Sequence, residues 1–194
     1  MVIKIHIYLF LVLAYMYAIQ NLENFIIAYA FIILHELAHI CMALLLKVKI
    51  REIEMLPVGI TAKYIGKISS QKEFVISLAG PLASLLFYKL LNISFLKDIN
   101  LLIAFINLIP LKPFDGGRIL SSLFTILFGA PKAKNITVIV QKMCLNFLVV
   151  ITILSILKFK NYYLAMVCIY MICIAKEDMK NEKFNELIKY LQID

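Results

Sequence analysis

The chain has 194 residues, 63% of them hydrophobic and 16% charged, with a formal net charge of +8 and a mean hydropathy of +0.92. This balance excludes an ordinary soluble domain, in which about half of the residues are apolar and about a quarter charged. It also argues against nucleic-acid binding, because the lysines lie scattered between apolar runs instead of forming one basic face interleaved with stacking aromatics.

A helix needs about 20 apolar residues to cross a hydrocarbon core of about 30 Å, and runs approaching that length recur along the chain. An all-α polytopic membrane protein with about six transmembrane helices is predicted, at roughly 3–19, 25–46, 73–92, an interrupted 99–129, 136–157 and 161–175. The first run is flanked by Lys4 and followed by no small-residue cleavage site, so it reads as an uncleaved span. Residues 47–72 partly alternate charged and apolar side chains before Pro57 and Gly59. This predicts a short membrane-associated β-hairpin or re-entrant loop packed over a cavity, the alternative being a plain connector.

With the amino terminus inside, 14 of the 20 lysines and arginines fall in inside segments and 4 outside, while Lys112 and Arg118 lie in the interrupted segment. Both termini are therefore expected in the cytoplasm. Beyond residue 175, Met179, Phe184, Leu187, Ile188 and Leu191 fall roughly on one face, as in an amphipathic interfacial helix or a solvated one. The whole chain, 1–194, is expected to form a single membrane domain with a core over about 25–130, a tail over 176–194, and no PDZ or CBS domain. Cys41, Cys144, Cys168 and Cys173 lack CxxC spacing and read as buried free thiols, with no disulfide and no metal.

Chemistry concentrates in FIIAYAFIILHELAHICMALLL, residues 25–46, which contains HExxH as His35-Glu36-Leu37-Ala38-His39. One helical turn separates the two histidines, so both imidazoles leave the same face and reach a common zinc ion. Glu36 beside them is placed to act as general base on a water molecule. A charged group at mid-span costs roughly 2.5–3.5 kcal/mol on translocon scales, so a glutamate there normally faces a partner or a water-filled cavity. The plainer reading of the pair is packed or helix-bridging histidines.

Two histidines leave a catalytic zinc one protein ligand short. The remaining histidine, His6, sits in the first predicted span and reads as packed or solvated. A carboxylate is the better third ligand. In AFINLIPLKPFDGGRILSSLF, residues 104–124, Pro110, Pro113, Gly116 and Gly117 break an apolar run around Asp115. That places Asp115 on an unwound, protein-covered segment, as a metal ligand or as the turn residue of an Asp-Gly break. Residues 79–84 put small side chains on the third predicted span, suited to close packing against the zinc helix.

HELAH in one helix, SLAGPLASLL in the next and NLIPLKPFDGG in the one after resemble the site-2 protease family, intramembrane zinc metalloproteases, over nearly the whole chain. The short KIHIYLF start, the LPVGIT loop and the lack of an inserted PDZ domain are most similar to the members of that family that act in sporulation. The resemblance implies a three-helix catalytic core and cleavage of a membrane-associated protein substrate, a pro-sigma factor. It implies a bacterial cytoplasmic membrane, the mother-cell membrane around the forespore, with membrane regulatory proteins as further partners. Where the family has Asn-Pro before the DG motif this chain has Lys112-Pro113, so that asparagine's role does not carry over. Asn107 in NLIP becomes the candidate for orienting substrate. One Zn²⁺ per chain is expected, with no nucleic acid.

A helical peptide bond is shielded, so substrate is expected to unwind, with residues 50–65 holding it extended by strand addition. Two other classes remain open. A metal transporter would use the same donors but commonly shows repeat symmetry, which is absent here, and an inert membrane scaffold would have no use for an intact HELAH and DGG.

Overall fold

Six helices and three strands are found among the described residues, which are 2–5, 17, 20, 22–56, 59–66, 68–112, 114–158 and 160–191 of the computed structural model. The chain divides into two units, Met1–Leu108 and Ile109–Asp194. The first holds β1 (Val2–Ile5), α1 (Leu22–Leu45), β2 (Ile50–Leu56), β3 (Gly59–Tyr64), α2 (Ser70–Leu90) and α3 (Ser94–Asn107). The second holds α4 (Asp115–Phe128), α5 (Ala130–Leu157) and α6 (Tyr162–Leu191).

At a rise of about 1.5 Å per residue, α1, α2 and α5 measure about 36, 31 and 42 Å, enough for a bilayer core. These are the three described helices long and apolar enough to cross a membrane. Their packing has the polarity of a membrane protein. His35, His39, Ser77, Ser84 and Asn100 are buried in the first unit and Thr137, Gln141, Thr152 and Ser155 in the second, while Leu82, Leu86, Met143 and Phe147 are each more than half exposed. In water this arrangement would be costly. In lipid it hides the groups that need hydrogen bonds and shows hydrocarbon to hydrocarbon.

The predicted spans at 25–46, 73–92 and 136–157 correspond to α1, α2 and α5. The interrupted segment at 99–129 is two helices, α3 and α4, separated by irregular backbone over 108–112 and 114. The segment at 161–175 and the tail run together as α6, since nothing in the sequence between them breaks a helix. The first predicted span begins on a strand, β1, and residues 6–16, 18 and 19, including His6, lie outside the described residues.

In the sheet, of order β1-β2-β3, β1 pairs parallel to β2 with Val2 opposite Glu52, and β2 pairs antiparallel to β3 with Ile50 opposite Tyr64. Residues 57 and 58, between β2 and β3, lie outside the described residues. All four cysteines are free, but only Cys168 is buried; Cys41 and Cys173 are exposed on faces their helices turn outward, contrary to the expectation of four buried thiols.

The exit from α1 is built with care. Val48 N donates to Ala43 O and Lys47 N to Leu44 O, each at 2.9 Å, the paired bonds of a Schellman motif. Lys47 takes its left-handed position with φ 56, where glycine would be free of a steric cost of roughly 1 kcal/mol. Ala43, Val48 and Ile76 then bury against one another, with Leu46, Tyr64 and Ile68 packed around them. Lys72 Nζ donates to Leu46 O at 2.9 Å and ties the start of α2 to the end of α1. The rotation of α2 against α1 decides what faces the histidines.

Candidate metal centre

On α1, His35 and His39 are one turn apart and 1% and 4% exposed. Against them α2 turns its buried face, Ile76, Ser77, Gly80, Pro81 and Ser84. His39 Nδ1 lies 2.7 Å from Ile76 O. A carbonyl only accepts, so this nitrogen carries the proton, and in the neutral ring Nε2 keeps its lone pair. His35 Nδ1 lies 2.8 Å from Ser84 Oγ, a group able to receive its proton in the same way. Both rings are thus held through Nδ1 by α2, with Nε2 turned to a common point.

The two Nε2 atoms are 3.3 Å apart. With Ser84 Oγ accepting from His35 Nδ1, both Nε2 atoms present lone pairs, and a proton or a cation is then needed between them. Two nitrogens bound tetrahedrally to zinc at about 2.0–2.1 Å would themselves lie about 3.3 Å apart. Gly80 keeps the space open: a Cβ there would stand 2.6 Å from His35 Nε2 and nearer still to His39 Nε2. The donor set and its spacing fit zinc.

Asp115 is the first residue of α4, 7% exposed, with Arg118 Nη1 3.8 Å from its Oδ1. It was expected on unwound backbone, and the correction is one residue wide: the irregular stretch ends at Phe114, the N-cap. A carboxylate in the first turn is favoured by the helix dipole, which helps the glycine-rich segment resume a helix here. Gly117 has a separate reason. A Cβ at Gly117 would lie 2.5 Å from the backbone of Leu111 and Lys112, which folds back against the first turn and cannot yield.

The first unit thus brings together two buried imidazole donors, His35 and His39, and the second unit holds a buried carboxylate donor, Asp115. Glu36 is half-buried beside His35 on α1. Asn107 closes α3, where its Nδ2 donates to Ile103 O at 3.0 Å. Ser84, Gly80 and the Ile76 carbonyl were not anticipated as parts of the centre. The small residues of 79–84 suit packing against the zinc helix; the signal for a further role lies in a hydroxyl, Ser84, one turn from a glycine in an apolar run.

Residues 91–151 match the model of peptidase family M50. A zinc metalloprotease of Methanocaldococcus jannaschii is 28% identical over 212 residues, covering 98% of this chain and 61% of the relative. Stage IV sporulation protein FB of Bacillus subtilis is 26% identical over 152 residues, covering 70% of this chain and 53% of the relative. The chain thus spans between half and two thirds of the length of these curated relatives. The solved structure of a site-2 protease from Methanocaldococcus jannaschii matches with a TM-score of 0.65 at 28% identity, covering 90% of this chain and 89% of that one.

Proposed function

We propose that this chain, which carries a peptidase family M50 (site-2 protease) domain, is a zinc metalloendopeptidase that hydrolyses a peptide bond in or near the membrane. The observation that carries the reading is the pair of imidazoles held through Nδ1 by α2, with their Nε2 atoms 3.3 Å apart. In this reading His35, His39 and Asp115 hold one zinc ion. Bound there, zinc would polarise the scissile carbonyl and lower the pKa of a water molecule toward about 7.

The remaining work falls to side chains. Glu36, adjacent to His35, accepts a proton from the attacking water and delivers it to the departing amine, as a general base and then a general acid. Asn107 orients the extended substrate. The apolar walls of α1 and α2 limit water, which strengthens each polar contact inside.

The substrate we assign is a membrane-associated pro-sigma factor, and what supports it is similarity to a stage IV sporulation protein. The excess of lysine and arginine in the segments assigned to the inside supports cytoplasmic termini in a bacterial membrane. Co-expression with a candidate pro-sigma factor tests the reading. The native chain is expected to process it, and Glu36→Gln is expected to lose about 10²- to 10⁴-fold in rate while retaining one zinc per chain by elemental analysis. Equal processing by both chains would remove Glu36 from the mechanism, and a native chain without zinc would remove the mechanism itself.

A further inference from the structure

A cavity in the first unit lies where α1 and α2 meet the sheet. It has a volume of 360 Å³ and is lined by Lys47, Val48, Lys49, Ile65, Ile68, Ser69 and Lys72. Three lysines and no acidic residue line it among the described residues, so the ligand it suits is an anion. Of its other four lining residues three are aliphatic, Val48, Ile65 and Ile68, and the fourth is Ser69, with Val48 buried and Ile65 56% exposed. An inorganic anion has no use for such walls, whereas the headgroup and first carbons of an amphiphile fit both kinds of lining.

The setting narrows the ligand further. Lys47 and Lys49 follow α1 directly and Lys72 is in the first turn of α2. Both helices are long and apolar enough to cross a membrane, and a cavity at their ends would then lie at headgroup depth. Lysines at that depth meet anionic phospholipid. Lys72 is also held in place, since Leu46 O takes one of its three donors and leaves two. At Lys47 the backbone accepts a left-handed conformation that glycine would take without strain.

We infer that this cavity binds the phosphate headgroup of an anionic phospholipid, clamped by Lys47, Lys49 and Lys72, and so fixes the α1–α2 end of the unit at the membrane surface. The site is separate from the metal centre and does not rest on the proposed peptidase activity.

The full chain, purified in detergent, is titrated with phosphatidylglycerol, phosphatidylcholine or inorganic phosphate, and bound ligand is read by native mass spectrometry. The native chain is expected to hold phosphatidylglycerol on the order of 100-fold more tightly than the chain with Lys47→Gln, Lys49→Gln and Lys72→Gln together. Lys47→Gln with Lys49→Gln alone spares the Lys72–Leu46 bond, and is expected to lose about 30-fold even if the triple variant fails to fold. Lys132→Gln, Lys142→Gln and Lys160→Gln together remove the same charge elsewhere and are expected to bind as the native chain does. Equal retention of phosphatidylglycerol by the native chain and the double variant overturns the inference. So does equal retention of phosphatidylcholine, which marks an acyl site indifferent to charge, or displacement by equimolar inorganic phosphate, which marks a site for the free anion.

Discussion

An imidazole that binds metal through Nε2 is aimed by whatever holds its Nδ1, and such outer partners commonly change affinity 10- to 100-fold. Here the partners are a serine hydroxyl for His35 and a backbone carbonyl for His39. Ser84→Ala removes the first and leaves the second, so zinc affinity is expected to fall by about 10- to 100-fold with helical content unchanged. Competition with a chelating dye measures it, and undiminished affinity would make Ser84 a packing residue only. Gly80→Ala is more severe, because the new methyl enters the space both Nε2 atoms face. Loss of bound zinc is expected, with a destabilisation of about 1–3 kcal/mol from overpacking, read by elemental analysis and thermal unfolding. The HELAH spacing was legible in the sequence because one helical turn is a local fact. Which small residues of another helix meet those rings depends on rotation about its axis, and 79–84 accordingly read as packing.

Among the elements, α1 and α2 were legible because a long apolar run admits few structures in a membrane. The broken helix at 108–114 was legible from its prolines and glycines. β1 was not, since Val2–Ile5 is the start of an apolar run that suits either a helix or a strand, and only its parallel pairing with Glu52–Met55 decides between them. The end of α1 offers a test of its own. Lys47→Gly relieves the left-handed backbone of the Schellman motif and is expected to stabilise the chain by about 1 kcal/mol, raising the midpoint of thermal unfolding in detergent. Lys47→Ala keeps the strain and is expected to give no gain; equal gains from both would trace the effect to the lost charge.

For the molecule as a whole, the proposed metal ties folding to binding. Any ligand bound by the folded chain and not by the unfolded one stabilises it by mass action, by about 4.1 kcal/mol at a free concentration 1,000 times the dissociation constant. Chelated and zinc-saturated chain are therefore expected to differ by about 4 kcal/mol under those conditions, with activity lost on chelation and restored by zinc. Identical unfolding curves would mean that the donors do not hold the ion together in the folded state.

By itself the sequence pointed to the solvent and to the proposed chemistry: a chain this apolar suits lipid, and two histidines and a glutamate in HExxH on one apolar helix point to a hydrolytic metal. Both follow from composition and from helical period, which act over a few residues. The tertiary structure alone decided that Ser84 and the Ile76 carbonyl orient the imidazoles, that Gly80 leaves them room, that residues 2–5 join the sheet, and that three lysines from two helix ends share one cavity. Each of these depends on how one element is rotated or paired against another, and side chains far apart along the chain set that together.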